Sequence, residues 1–127
     1  MDDLAGLRIL VVEDEDGVRS LVRLALVSGG YKVLETQDGE SALALCASYE
    51  GPIHMLLTDV VMPQMSGPLV AEKATALRPD LKVLYMSGYT DDAVVRHGVL
   101  SKDVPFIQKP FSPATLRTRI REILGRK

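Results

Sequence analysis

The sequence predicts an α/β fold, a doubly wound parallel sheet of five strands with five helices on its two faces. Three observations carry that reading. Short, apolar, β-rich runs alternate strictly with longer segments of helical period, which is the pattern of βα units. The runs are apolar through their centres, as strands covered on both faces require. Acidic residues, a serine and a lysine recur at the carboxyl ends of successive runs, the edge where open α/β sheets take ligands.

The elements follow in chain order. Arg8-Ile-Leu-Val-Val12 is the first strand. Val18, Leu21, Val22 and Ala25 repeat at i, i+3, i+4, i+7 and mark a helix that Gly29-Gly30 stops. Tyr31–Thr36 is a weaker strand. Ala42, Leu45, Cys46 and Tyr49 mark the second helix, ended by Gly51-Pro52. His54–Thr58 is the third strand, and Val70, Ala74 and Leu77 carry a third helix closed by Arg78-Pro79. Lys82–Met86 is the fourth strand, and 90–100 a fourth helix capped by Thr90 or Asp91. Pro105–Gln108 is the fifth strand. Ser112 as N-cap and Pro113 at the first helical position open a fifth helix, with Leu116, Ile120, Ile123 and Leu124 inward and Gly125 at its end. Right-handed crossovers distribute the helices over both faces. No linker, repeat or low-complexity tract interrupts the 127 residues, which read as one domain over 1–127 with its core at about 7–125.

Composition narrows the function classes. Hydrophobic residues are 46% of the chain, enough for a core without disulfides or metal staples. A net charge of -2 offers no global attraction to nucleic acid or to an anionic membrane. Cys46 is the only cysteine, which excludes an internal disulfide and fits a reducing, cytoplasmic setting. No run approaches the roughly 20 apolar residues that cross a bilayer. The opening MDDLAGLR lacks the basic and apolar regions of a signal peptide.

The chemistry gathers at strand ends. Glu13 and Asp14 follow the first strand, Asp59 the third, Ser87 the fourth and Lys109 the fifth. Each alone has an ordinary reading: a helix N-terminal charge pair, a cap, loop chemistry, a Lys-Pro turn. Their corresponding places on successive units bring all five to one edge. Three carboxylates held together repel one another unless a cation joins them. The donors are hard oxygens with no Cys or His among them, which favours Mg²⁺. A metal, a lysine and a hydroxyl around one carboxylate match the needs of phosphoryl transfer, and carboxylates act as nucleophiles toward phosphate.

At this point the sequence resembles the receiver domains of two-component response regulators, from "ILVVEDE" through "LLTDVVMPQMSG" and "MSGYT" to "QKPF". The resemblance implies a flavodoxin-like sheet of order 2-1-3-4-5. It implies Asp59 as phosphoacceptor from a phospho-histidine, and Glu13, Asp14, Asp59 and the backbone carbonyl of Val61 as Mg²⁺ ligands. It assigns Lys109 to the phosphoryl group and makes Ser87 and Phe106 the switch pair. The Lys109-Pro110 bond resembles one that is cis in the family. Phosphorylation would draw in Ser87, let Phe106 fill the vacated space, and change the face built from the fourth helix, fifth strand and fifth helix. A histidine kinase or a histidine phosphotransfer protein is the implied partner, and that face could support a phosphorylation-dependent dimer.

Several stretches, among them "EDEDGVRSLVRLALVSGGYKVLE" and the closing "KPFSPATLRTRIREILGRK", are similar to C-terminal receivers of hybrid sensor histidine kinases. A stand-alone response regulator and a degenerate receiver acting only as a binding module are the alternatives. Any catalysis acts on the domain's own Asp59, so the chain is not read as an enzyme. A dehalogenase-like phosphatase needs a second Asp two residues after Asp59, where Val61 stands. A dinucleotide-binding domain needs a Gly-rich turn after the first strand, where "VVEDEDG" stands. Val61 and Tyr89, each two residues past Asp59 and Ser87, occupy sites that influence water access in the family and are expected to slow loss of the phosphoryl group. The basic residues Arg117, Arg119, Arg121, Arg126 and Lys127 read as a solvated face of the last helix that also suits its C-terminal dipole. His54 and His97 lack partners at metal spacing, and Cys46, Met55, Met62, Met65 and Met86 read as packing residues.

Overall fold

A computed structural model of the chain describes residues 6–88 and 105–125. The elements are β1 (Arg8–Val12), α1 (Asp16–Ser28), β2 (Lys32–Thr36), α2 (Gly39–Ser48), β3 (Met55–Asp59), α3 (Gly67–Leu77), β4 (Lys82–Ser87), β5 (Phe106–Gln108) and α4 (Pro113–Leu124). The helix expected over 90–100 lies outside the described residues, so α4 is the fifth of the expected helices. The five strands are all parallel, in the order β2-β1-β3-β4-β5.

Period-two alternation divides each central strand between two cores. Leu10, Val12 and Leu56 face one side and pack with Ala42 and Cys46 of α2 and Val70 and Ala74 of α3. Ile9, Val11, Met55 and Leu57 face the other and pack with Val22, Ala25 and Leu26 of α1 and Leu116, Ile120 and Ile123 of α4. Each of the larger side chains is fully enclosed and contributes about 2 kcal/mol by leaving water. The expected packing roles of Cys46, Met55, Met62 and Met86 agree with their burial.

Local chemistry sets the helix ends. Asp38, Ser66 and Ser112 are N-caps whose side-chain oxygens accept from the N–H of Ser41, Leu69 and Thr115. Glu15 caps α1 without a side-chain bond. After α1, Gly30 takes φ 89°, a left-handed turn that suits glycine.

Two expected core positions lie outside. Leu21 is 45% exposed and Leu77 50%. The buried stripe of α1 is Val22, Ala25 and Leu26, rotated from the expected one, because α1 lies in the angle between the sheet and α4. An i, i+3, i+4 pattern matches more than one stripe on a helix with apolar residues all along it. Tyr49 is half-buried and caps α2 instead of belonging to it. His54 stands just before β3, its Nδ1 accepting from the Arg8 N–H at 2.8 Å.

Candidate functional site

The site forms at the carboxyl edge of β1, β3 and β4, the three central strands. Glu13 follows β1 and continues its ladder for one step, its N–H donating to the Thr36 carbonyl at 3.1 Å. Its side chain turns inward and is 0% exposed. One carboxylate oxygen accepts from the Glu15 N–H at 3.1 Å, and the other accepts from Nζ of Lys109 at 2.7 Å. Asp14, the next residue, is exposed.

Asp59 is the last residue of β3 and only 8% exposed. The apolar strand carries it to the edge, and the chain then leaves the sheet. Val60 N–H still donates to the Met86 carbonyl at 2.9 Å, and Gly67 N–H donates to the Val60 carbonyl at 2.8 Å. The intervening turn includes Gln64 at φ 73°, a left-handed position for a residue with a side chain. Asp59 accepts from Nζ of Lys109 at 3.1 Å, so one ammonium joins two carboxylates carried by β1 and β3.

Lys109 follows β5, its N–H donating to the Ser87 carbonyl at 2.7 Å, and the Lys109-Pro110 bond is cis. Ser87 ends β4, is 1% exposed and has bonding partners of its own. Phe106 lies opposite Tyr85 in the β4–β5 register and is half-buried against the α2–α3 core. Val61 is exposed just past Asp59. His97, Tyr89, Arg126 and Lys127 lie outside the described residues.

Burial governs the electrostatics. It raises the pKa of Glu13, opposed by the bond from Lys109 and the Glu15 N–H, with the negative Asp59 adding to the rise. Burial likewise raises the pKa of Asp59, opposed by Lys109 and reinforced by Asp14. For Lys109, burial pulls the pKa down, but the bonds and charges of Glu13 and Asp59 outweigh it, and the net shift is upward.

Glu13, Asp14 and Asp59 offer carboxylate oxygens that all lie within 4.8 Å of one another. Two buried carboxylates share the one Lys109 ammonium, with the exposed Asp14 carboxylate beside them, so the cluster carries more negative than positive charge. Such an all-oxygen donor set fits a small divalent cation such as Mg²⁺. The five strand-end residues named from the sequence therefore meet at one edge, Glu13, Asp59 and Lys109 in direct contact. Thr36 and Arg19, which also hold this edge, carry no motif. Arg19 lies six residues past Glu13, inside what reads as an ordinary helix surface.

A family model described as "Response regulator receiver domain" matches residues 9–121. The chain is 38% identical over 126 residues to the Sensor kinase CckA of Brucella abortus (strain 2308). That match covers 98% of this chain but 13% of the kinase's length. It is 35% identical to the Response regulator receiver protein CpdR of the same strain, covering 92% of this chain and 96% of that protein. A crystal structure of the receiver domain from Hybrid Histidine Kinase CckA superposes with a TM-score of 0.77 at 38% identity, covering 92% of this chain and 98% of that one.

Proposed function

This chain belongs to the response regulator receiver domains, phosphoacceptor signalling modules of two-component systems, and on that footing we propose that Asp59 accepts the phosphoryl group in a Mg²⁺-dependent transfer from a phospho-histidine. The observation that carries the assignment is the Lys109 ammonium held between Glu13 at 2.7 Å and Asp59 at 3.1 Å, beside Asp14. In the transfer, a carboxylate oxygen of Asp59 attacks phosphorus, an O–P bond forms and the P–N bond to imidazole breaks. The imidazole leaves on the donor and takes up a proton. Lys109 neutralises charge on a phosphoryl oxygen, and the Ser87 hydroxyl donates to another. Glu13, Asp14, Asp59 and the Val61 carbonyl would hold Mg²⁺, which would supply charge neutralisation for the transfer.

The domain acts on its own Asp59 and turns over no separate substrate. Ser87 and Phe106 form the switch, coupling the acceptor to the face of β5 and α4. The donor is a histidine kinase or a histidine phosphotransfer protein, and the 38% identity to a sensor kinase favours a receiver within a hybrid kinase. The 96% coverage of the response regulator's length favours the second reading, a stand-alone regulator.

Intact mass after incubation with acetyl phosphate tests the acceptor. Wild type with Mg²⁺ is expected to gain one phosphoryl group, with no gain in chelator or in Asp59→Asn. A folded protein that binds Mg²⁺ and gains nothing would reduce Asp59 to a metal ligand and leave a binding module.

A further inference from the structure

We propose that Arg19 is a positioning residue for the cation site: its guanidinium fixes the peptide plane joining Glu13 to Asp14 and so aims the Asp14 carboxylate toward Glu13 and Asp59. The inference rests on the cation reading above and concerns how that site is built.

Arg19 lies near the start of α1 with its side chain only 18% exposed. Nη1 donates to the backbone carbonyl of Glu13 at 2.8 Å. Nη2 donates to the Asp16 carboxylate, and Nε stands 4.0 Å from a Glu35 oxygen in β2. The other Glu35 oxygen pairs with Nε of Arg23 at 3.4 Å. The planar fork is thus hydrogen-bonded to the β1–α1 turn and to Asp16 of α1, with the Glu35 carboxylate of β2 nearby as a further negative charge.

The two acidic neighbours are secured differently. Glu13 is tied through its N–H to Thr36, and through its carboxylate to Glu15 and Lys109. Asp14 is exposed, and among the described residues no hydrogen bond anchors its carboxylate. Its aim comes from its backbone. The peptide unit from the Glu13 carbonyl to the Asp14 nitrogen is rigid, so the direction of that carbonyl sets where the Asp14 Cα begins. Arg19 holds the carbonyl. Without it the Glu13 carbonyl loses the side-chain donor that orients it, and the third carboxylate is less well ordered before a cation arrives. Partners that orient metal ligands typically change affinity by about 10–100-fold.

A plain alternative is that Arg19 only steadies the first turn of α1 through Asp16. The two roles separate in a titration. Lysine keeps the charge but cannot serve the carbonyl and both carboxylates with one ammonium.

The test is Mg²⁺ alone, titrated calorimetrically into folded wild type, Arg19→Lys, Asp14→Asn and the double variant. Arg19→Lys is expected to weaken binding about tenfold. In the Asp14→Asn background the same change should have little further effect, because Arg19 acts through Asp14. Binding by Arg19→Lys within about twofold of wild type, or full additivity in the double variant, overturns the inference and leaves the cation reading standing. A wild type that takes up no Mg²⁺ overturns both. Should Arg19→Lys fail to fold, Arg19→Met takes its place: it removes the donor to the Glu13 carbonyl, and unchanged Mg²⁺ affinity there overturns the proposal.

Discussion

A Cβ placed on Gly67 would come within 2.1 Å of the backbone carbonyl oxygen of Asp59. The first residue of α3 lies directly against the residue that ends β3, and its N–H donates to Val60 at 2.8 Å. The turn 60–66 therefore closes on itself just behind Asp59, and only a residue without a side chain allows that approach.

Gly67→Ala forces backbone apart, since the clashing atoms are main-chain atoms and not a flexible tip. It is expected to destabilise the protein by about 3 kcal/mol and to slow phosphorylation by acetyl phosphate. Urea unfolding and intact mass measure the two effects. Wild-type values for both would mean the turn opens freely.

Lys109→Met leaves Glu13, fully buried, facing Asp59 with no cation between them. In chelator the variant should lose about 3 kcal/mol of stability, the lower end for breaking a buried pair because Nζ is reached by some water. Adding Glu13→Gln should recover part of that loss, since it removes one of the two opposed charges. A double-mutant cycle in urea gives the coupling, and strict additivity would contradict the bridge.

The upward pKa shifts of Glu13 and Asp59 have a definite sign for stability. A carboxyl whose folded pKa is raised contributes fully below its unfolded pKa, and that contribution is lost as pH rises through the folded value. Lys109, also raised, keeps its contribution until pH passes the ordinary lysine range. In chelator, Asp59→Asn should therefore be more stable than wild type near neutral pH, with the advantage shrinking as pH falls toward the ordinary carboxylate range. Saturating Mg²⁺ should narrow or reverse the difference. Urea midpoints across pH decide it, and a gap independent of pH would contradict the shift.

Arg78, at the end of α3, donates to the carbonyls of Cys46, Tyr49 and Gly51 at 2.9, 2.6 and 3.0 Å. It closes the C-terminal end of α2 from the neighbouring helix, at the edge of the sheet opposite Asp59. Arg78→Lys can satisfy only part of this set and should cost about 2 kcal/mol. Phosphorylation of the folded variant should proceed at the wild-type rate. A slowed rate without a change in stability would tie this end of the molecule to the site.

The alternation of apolar runs with helical period, the Ser112 cap followed by Pro113, and the acidic, serine and lysine positions at strand ends are all local features. They were legible because strand and helix periods, turn residues and caps are written within a few residues. Even the gathering of Glu13, Asp14, Asp59, Ser87 and Lys109 at one edge was legible, because parallel strands joined by right-handed crossovers send every carboxyl end the same way.

The sequence by itself thus determined the class of fold, the order of its elements and which polar residues share an edge. Tertiary structure alone decided the rest. It decided which stripe of α1 is buried, with Leu21 outward and Leu26 inward, because that depends on where α4 packs. It decided that the Lys109 ammonium joins Glu13 to Asp59, and that Arg19 reaches back to the Glu13 carbonyl. These are contacts between side chains from distant parts of the chain, set within fractions of an ångström by packing. Periodicity states which way a residue faces; only the packed neighbours determine what it touches.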